Sequence, residues 1–452
     1  MGFSKDFVWG VATASYQIEG AAFEDGKGLS VWDVFSNKNP RAVKNGDTGN
    51  TACDHYHRFK EDVGIMSEIG VKAYRFSISW PRVLPEGTGK VNEKGLDFYD
   101  ALVDELLAKG IKPYVTLFHW DYPYELYKKG GWLNPESPDW FAEYVKVIVD
   151  RLSDRVEYWM TLNEPQCFIL IGHEAGVHAP GLKLDRSQVL LAAHNALLAH
   201  GRAVQSIRGY SKNPCKIGYA PAGSVVFPET NSQEDIDAAR KAMFSCDSGN
   251  LWVSSWWMDP VFLGKYPEDG LKVNEKWLPQ IKQEDMKIIS QPLDFFGVNI
   301  YHGRKVRADQ KGGYEYAGDK PGYARTAIDW AVTPEALYWG PKFYYERYKK
   351  PVIITENGMS NIDWVSVDGK VHDPQRIDYL YRYIRELKRA ADDNVDVQGY
   401  MLWSLLDNFE WAEGYSQRFG IVYVDFETQK RIIKDSGYWY REVIESNGEN
   451  IK

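Results

Sequence analysis

The chain has 452 residues, of which 44% are hydrophobic, and it includes 17 Trp, 29 Tyr and 19 Phe. This is far more apolar and aromatic volume than a disordered chain carries. Its 54 basic and 63 acidic residues give a net charge of −9 with no basic cluster, which excludes a surface built to follow a nucleic-acid backbone.

No run of about 18 apolar residues occurs, and the amino-terminal segment lacks the basic region and apolar core of a secretion signal. The four cysteines are far apart and form no CxxC pair: Cys53, Cys167, Cys215 and Cys246. This spacing favours neither a zinc site nor a disulfide framework, so we expect four buried free thiols. These features predict a globular, cytoplasmic protein without membrane or nucleic-acid partners.

The first predicted strand is FVWGVA at residues 7–12. Three helices with apolar residues at helical spacing follow, each leading into an apolar strand. The helix faces are Phe59, Val63, Met66 and Ile69, then Leu96, Tyr99, Leu102, Val103 and Leu106, then Phe141, Val145, Ile148 and Leu152. Gly70 and Gly110 end the first two helices. The strands that follow are VKAYRFS (71–77), IKPYVTLF (111–118) and VEYWMTL (156–162).

Four further apolar runs complete the pattern: KIGYA (216–220), LDFFGV (293–298), PVIIT (351–355) and VQGYMLW (397–403). Strands that are apolar throughout and alternate with helices favour a parallel sheet covered on both faces. Eight of them predict a closed (β/α)8 TIM barrel with long βα loops. No linker interrupts the order, so one domain over 1–452 is expected, with 301–329 as the longest excursion at the rim.

Catalytic groups in such barrels lie at the carboxyl ends of the strands. Seven of the eight predicted strands end in polar or aromatic side chains: Gln17 and Glu19; Arg75; His119, Trp120 and Asp121; Asn163 and Glu164; Asn299 and Tyr301; Glu356 and Asn357; and Trp403, Asp407, Asn408, Glu410 and Trp411. Two carboxylates among hydrogen-bond donors and indole faces suit a pocket that binds sugar hydroxyls and stacks on a sugar ring. Cleavage of a glycoside needs a carboxylic acid and a carboxylate on either side of one bond.

Six segments, in this order, resemble the signatures of glycoside hydrolase family 1, the β-glucosidase family. They are FVWGVATASYQIEGA (7–21), YRFSISWPR (74–82), HWDYP (119–123), TLNEP (161–165), ITENG (354–358) and WSLLDNFEW (403–411). The resemblance extends from Phe7 to Asp425, which is nearly the whole chain.

The resemblance implies that Glu164 is the general acid/base and Glu356 the nucleophile of a retaining enzyme that uses neither metal nor cofactor. It implies that Arg75 and Tyr301 keep the nucleophile ionised and oriented, and that Trp403 is the stacking platform. The residues expected to contact the sugar are Gln17, His119, Asn163, Asn299, Tyr301, Trp330, Trp403, Glu410, Trp411 and Phe419, with His178 near the entrance as a supporting residue.

The implied substrate is a small sugar: a terminal nonreducing β-D-glucosyl residue of a cello-oligosaccharide or of an aryl or alkyl β-glucoside. Side activity on β-galactosides or β-fucosides, and homo-oligomerisation, are left open. A covalent intermediate predicts a separation of about 5 to 5.5 Å between the two carboxyl groups. Family relatives that cleave 6-phosphorylated sugars bind the phosphate through Ser, Lys and Tyr after the eighth strand. Here Glu410, Gln417 and Phe419 predict a neutral sugar instead.

Three residues depart from the family pattern, namely Tyr122, Leu162 and Ile300, and they bear on the shape of the pocket wall. For Glu19 and Asp121 we favour structural hydrogen bonds. For Trp120, Trp256 and Trp257 we favour core or rim packing over a role as sugar platforms.

Two alternative functions compete with this interpretation. A metal-dependent hydrolase is disfavoured because His55 and His57 open a helix and lack a third ligand. A catalytically silent sugar-binding barrel is disfavoured because Glu164 and Glu356 are both intact.

Overall fold

The computed structural model describes residues 2–318 and 320–452. Its strands are β1 Val8–Ala12, β2 Ala73–Ser77, β3 Lys112–Phe118, β4 Tyr158–Asn163, β5 Lys216–Ala220, β6 Val225–Pro228, β7 Phe296–Asn299, β8 Gly303–Ala308, β9 Tyr314–Tyr316, β10 Val352–Asn357, β11 Val397–Trp403, β12 Val422–Val424 and β13 Arg431–Ile433. The eight apolar runs predicted from the sequence correspond to β1 to β5, β7, β10 and β11.

These eight strands form one parallel sheet in the order β5-β4-β3-β2-β1-β11-β10-β7. The sheet closes where β7 returns to β5. There the Asp294 N–H donates to the Ile217 carbonyl at 2.8 Å, and the Asn299 N–H donates to the Pro221 carbonyl at 3.1 Å. The predicted TIM barrel is confirmed, with each apolar strand buried between the barrel interior and the surrounding helices.

The helices are α1 Ser15–Ile18, α2 Val31–Lys38, α3 His55–Ile69, α4 Trp80–Val83, α5 Glu93–Ala108, α6 Tyr124–Lys128, α7 Ser137–Leu152, α8 Arg186–Tyr210, α9 Gln233–Phe244, α10 Ser254–Leu263, α11 Glu268–Asn274, α12 Gln283–Ile289, α13 Ala336–Tyr348, α14 Pro374–Asp392 and α15 Asp435–Glu445. A π-helical segment spans Cys167–Ala175, and 3₁₀ turns occupy Lys44–Gly46, Gly131–Leu133, Glu275–Trp277 and Trp411–Ser416.

The three helices predicted from the sequence are α3, α5 and α7. Gly70 ends α3 at a φ of +82°, a left-handed conformation that residues with a Cβ rarely adopt. No helix in the described parts of the chain is both long and apolar enough to cross a bilayer.

The barrel interior is filled by side chains and is not a pore. Its buried cluster includes Tyr114, Met160, Phe295 and Met401, which pack below the carboxyl ends of the strands. Gly10 belongs to this packing, because a Cβ there would lie 2.2 Å from the Met401 sulfur. The interior cluster therefore provides rigid support beneath the groups held at the strand ends.

The expectation about the periphery is incomplete in one respect and wrong in another. Segment 301–329 carries two strands that were not predicted, β8 and β9, and β8 pairs in parallel with β6 to form a separate three-stranded rim sheet. The prediction missed these strands because β8 mixes polar with apolar residues and β9 has only three residues. Segment 301–329 is also not the longest excursion, because the connection between β1 and α3, residues 13–54, is longer.

The cysteine prediction holds for three residues. Cys53, Cys167 and Cys246 are buried free thiols, whereas Cys215 is half-buried. Cys215 lies in the turn between α8 and β5, at the amino-terminal end of the barrel strands, where the chain is close to solvent.

Candidate active site

A cavity of about 620 Å³ opens at the carboxyl ends of the barrel strands. Eleven of the predicted site residues line it: His119, Glu164, His178, Asn299, Tyr301, Trp330, Glu356, Trp403, Glu410, Trp411 and Phe419. Gln17, Arg75 and Asn163 are buried just behind this lining and are hydrogen-bonded to it. The fold thus assembles groups that are distant in the sequence around one pocket.

Glu356 lies near the end of β10 with donors on both carboxylate oxygens. Arg75 donates from Nη1 to Oε1 at 2.5 Å, and the Tyr301 hydroxyl donates to Oε2 at 2.7 Å. Burial raises the pKa of Glu356, while the Arg75 charge and the Tyr301 hydroxyl oppose that rise. Both donors stabilise the ionised form of a carboxyl group that faces the cavity.

Glu164 follows β4 in a left-handed backbone conformation, with a φ of +43°. Its backbone N–H donates to the Ala220 carbonyl at 2.9 Å, which anchors the turn to β5. Its side chain accepts from Asn299 Nδ2 on Oε1 at 2.9 Å and from the Cys167 thiol on Oε2 at 3.1 Å. Burial and the charge of Glu356 raise the pKa of Glu164 to about 7, so near neutral pH this carboxyl retains a proton that it can donate.

His119 contributes a neutral imidazole to the cavity wall. Burial, and then the nearby charge of Arg75, lower its pKa well below the usual range. Asn163 Nδ2 donates to His119 Nε2 at 3.0 Å, and Asn163 is itself fixed by Arg75 Nη2, which donates to its Oδ1 at 2.6 Å. With Nε2 accepting, the proton lies on Nδ1, which is buried and has no partner in the described chain.

Gln17 and Glu410 form a second polar wall. Gln17 Nε2 donates to the Phe409 carbonyl at 2.8 Å and lies 3.3 Å from Glu410 Oε2, whereas Gln17 Oε1 is buried without a partner among the described residues. Burial and the charge of Glu356 raise the pKa of Glu410 to about 8. An unpaired buried acceptor beside a carboxyl group is what a ligand hydroxyl would satisfy.

Aromatic rings enclose the rest of the cavity. Trp403 stacks near His119 at 5.7 Å between ring centroids, and Trp330 lies 5.1 Å from Tyr301. Trp120 also lines the cavity and is buried, an arrangement consistent with the rim packing expected for this residue. Its ring contacts Trp411 at 4.4 Å, and its Nε1–H donates to the Asn163 carbonyl at 3.0 Å. Trp256 and Trp257 are core residues, as expected.

The residues to which the sequence analysis gave structural roles have structural partners. Glu19 accepts from Arg82 at 2.9 Å and from Tyr99 at 2.7 Å, and Asp121 accepts from Ser15 at 3.0 Å. His55 and His57 pair with Asp62 and Asp54 at 2.7 and 2.6 Å. In residues 2–318 and 320–452, no three His, Cys, Asp or Glu side chains are grouped closely enough to hold a metal ion.

Two parts of the cavity were not predicted from the sequence. Cys167 was interpreted as a buried thiol, although its position three residues after Glu164 could have pointed to a contact one helical turn away. The outer wall was not foreseen at all; it includes Ile171, Val177, Met243, Trp252, Val253, Arg304, Tyr316 and Glu413. These residues come from the segments between barrel strands and share no spacing that could have signalled them.

Comparisons with known proteins agree with this geometry. Residues 1–449 match the family model described as Glycosyl hydrolase family 1. The chain is 50% identical over 447 residues to Beta-glucosidase A of Thermotoga maritima, covering 99% of this chain and 98% of that protein. It is 48% identical over 452 residues to Beta-glucosidase A of Acetivibrio thermocellus, covering 99% of each. A solved structure of Beta-glucosidase from Thermotoga maritima in complex with glucoimidazole matches with a TM-score of 0.90 and 50% identity, covering 99% of both chains.

Proposed function

The chain belongs to glycosyl hydrolase family 1, and we propose that it is a β-glucosidase that removes terminal nonreducing β-D-glucosyl residues with retention of configuration. The proposed substrates are cello-oligosaccharides and aryl or alkyl β-glucosides. One observation carries the proposal: Glu164 and Glu356 line the same cavity in opposite surroundings. Glu356 is held by the Arg75 cation, and the pKa of Glu164 is raised to about 7.

In the first half-reaction, ionised Glu356 attacks the anomeric carbon and the bond to the aglycone oxygen breaks. Glu164 gives its proton to that oxygen, so the aglycone leaves as a neutral alcohol or phenol. Arg75 and Tyr301 orient Glu356 for attack through their hydrogen bonds to its two oxygens.

In the second half-reaction, a water molecule attacks the anomeric carbon of the glucosyl-Glu356 ester and gives its proton to Glu164, while the bond to Glu356 breaks and frees its carboxylate. Esterification removes the negative charge of Glu356, which is one of the causes of the raised pKa of Glu164. The pKa of Glu164 therefore falls at the stage at which a base is required. Two inversions at the same carbon leave the β configuration unchanged.

We assign sugar binding to the buried polar atoms of the site that have no hydrogen-bond partner within the described chain. Gln17 Oε1 accepts from a hydroxyl, and the proton on His119 Nδ1 is donated to one. Trp403 offers its face to the apolar side of the ring, with Glu410, Trp411 and Phe419 around it. The same contacts leave side activity on β-galactosides or β-fucosides open, since such sugars differ from glucose at few hydroxyls.

The roles of the two carboxyl groups are tested with Glu164→Ala. Hydrolysis of alkyl glucosides should fall by about 10³-fold or more, while glucosylation by a dinitrophenyl glucoside should persist because that leaving group needs little protonation. Added azide should restore turnover and yield the β-glucosyl azide, identified by NMR. If Glu356→Ala gives the β azide instead, the roles are exchanged.

The stereochemical outcome is an independent test. The first glucose released from a nitrophenyl β-glucoside should be the β anomer in a time-resolved NMR spectrum, as required by the predicted carboxyl separation of about 5 to 5.5 Å. Release of the α anomer would mean inversion and would contradict the mechanism. A catalytically silent barrel would release no glucose, and a metal-dependent hydrolase would lose activity in EDTA.

We also propose that 1–452 is a single catalytic domain. Homo-oligomerisation and the cytoplasmic location stay predictions; a sizing measurement and fractionation of cells that express the protein would test them.

A further inference from the structure

Cys167 contacts a catalytic carboxyl group and has no role in the mechanism above. It is the first residue of the π-helical segment Cys167–Ala175, it lines the cavity, and its sulfur lies 3.1 Å from Glu164 Oε2. Burial raises the pKa of the thiol, so Cys167 keeps its hydrogen and is able to donate it. Glu164 therefore has a different kind of partner on each of its oxygens.

The partner on Oε1 cannot change its role. Asn299 Oδ1 accepts from the Thr355 hydroxyl at 2.6 Å, so its amide is held with Nδ2 toward Glu164. Nδ2 also donates to Asn163 Oδ1 at 3.0 Å. An amide nitrogen only donates, so a proton on Oε1 would face another N–H. Oε1 is thus suited to remain an acceptor in both protonation states.

The partner on Oε2 can change its role. A thiol rotates about its Cβ–Sγ bond, donates its hydrogen weakly, and accepts weakly through sulfur. We propose that Cys167 is a positioning residue for Glu164, whose thiol donates to Oε2 when that oxygen is ionised and turns away when it is protonated, so that Oε2 carries the catalytic proton. This inference rests on the proposed function.

The thiol follows the proton through one turnover without taking part in bond making. In the first half-reaction, the proton on Oε2 passes to the aglycone oxygen as Glu356 bonds to the anomeric carbon, and the thiol then donates to the Oε2 anion. In the second, the proton of the attacking water passes to Oε2, and the thiol turns away. Sulfur is neither oxidised nor alkylated at any stage. The catalytic proton leaves Glu164 in the first half-reaction and returns to it in the second.

Several other charged or titratable groups face Glu164. Glu356 raises its pKa and Arg75 lowers it. Glu410 and Tyr301 are coupled to it more weakly across the cavity. None of these groups is removed by substitution at Cys167. Burial is the largest cause of the raised pKa of Glu164, and Cys167→Val nearly preserves the side-chain volume, so a shift in the profile of that variant reports the hydrogen bond to Oε2.

The test is the pH profile of kcat/KM on an alkyl β-glucoside for Cys167→Ala, Cys167→Val and Cys167→Ser. Loss of a donor to the ionised form should move the basic limb of the Ala and Val variants to higher pH by about half a unit. Serine restores a rotatable donor, so its limb should lie at or below that of the parent enzyme. Cys246→Ala removes a buried thiol that bonds Ser255 instead, and it should leave the limb in place.

Superimposable Ala, Val and parent profiles would overturn the role of Cys167, as would a serine variant that shifts like alanine. Melting temperatures of all variants separate loss of folding from loss of the hydrogen bond, and the Val variant nearly preserves the side-chain volume. Failure of the proposed function is distinguishable. In that case the parent enzyme does not hydrolyse the glucoside, or its basic limb persists in Glu164→Gln.

Discussion

The floor and the outer wall of the cavity are built in different ways. The floor comes from barrel strand ends, and its polar groups, such as Arg75, Asn163 and Glu356, are buried and joined by hydrogen bonds. The wall comes from segments between strands, and its apolar members include Val177 and Trp252, which are 53% and 38% exposed. The groups of the proposed chemistry, which depends on fixed distances, lie on the rigid part, and we expect the aglycone to contact the part that has room to adapt.

The largest effect that separates the two regions should come from Glu356→Gln. Without a nucleophile, kcat/KM should fall on the order of 10⁴-fold or more for every aglycone. Glu413→Gln is the matched control, since Glu413 is a carboxylate of the same cavity that pairs with Lys44 at the rim. Initial rates on nitrophenyl and alkyl β-glucosides should show the control within a few-fold of the parent. Comparable losses in both variants would mean that the wall shares the chemistry.

A phosphate on the sugar 6-hydroxyl should produce the next largest effect, about a 10³-fold lower kcat/KM than for the neutral glucoside. From the sequence, Glu410, Gln417 and Phe419 predicted this selectivity, through repulsion of the dianion by a buried carboxylate and through the solvation that the dianion loses. The structure weakens the repulsion, because the raised pKa of Glu410, about 8, leaves it mostly protonated at neutral pH. The lost solvation remains, since a dianion near ionised Glu356 would meet no counter-charge.

The cations around the cavity support that reason. Arg75 is already paired with Glu356. Arg304 is the only Lys or Arg among the described residues that line the cavity. Its guanidinium lies 3.7 Å from the centroid of the Tyr316 ring in the outer wall. Paired assays of nitrophenyl β-glucoside and its 6-phosphate measure the ratio directly. Equal or better turnover of the phosphate would contradict both the assignment and its physical basis.

The pH dependence of kcat/KM should be set by the floor of the cavity and not by its outer wall. In the proposed mechanism only protonated Glu164 supports departure of a poor leaving group, and its pKa is about 7, so kcat/KM should fall tenfold per pH unit above neutrality. The fall should be the same for any alkyl aglycone and weaker for a dinitrophenyl aglycone. Substitution of a wall residue should change KM without moving this limb. A limb that moved with the aglycone among alkyl glucosides would show that the wall acts on Glu164.

The smallest effect should come from the wall itself. Trp252→Ala removes contact area for the aglycone, so KM for an aryl glucoside should rise about three- to ten-fold with little change in kcat, while methyl β-glucoside should be unaffected. Trp364→Ala is the control, because Trp364 is 67% exposed and does not line the cavity. An equal change for methyl and aryl glucosides would place Trp252 on the sugar side.

The same division explains what could be predicted from the sequence. The eight barrel strands were found because apolar runs that alternate with helical patterns are typical of a parallel sheet covered on both faces. The polar groups of the floor were found because they directly follow these runs. The rim sheet was missed because β8 is partly polar, as in segment RKVRA, and β9 has only three residues. The contact between Cys167 and Glu164 was missed because a cysteine without a nearby partner cysteine looks like core packing.

The pairing of β1 with β11 constrains how this enzyme folds during its synthesis. Val8 is the register partner of Gly399, and the finished pocket takes Gln17 from one end of the chain and Glu410 from the other. During synthesis, the second edge of β1 stays uncovered until β11, Val397–Trp403, has emerged from the ribosome. Until then an apolar strand edge is exposed to neighbouring nascent chains. The same closure that makes the mature site rigid thus leaves the growing chain open to aggregation until β11 has been made.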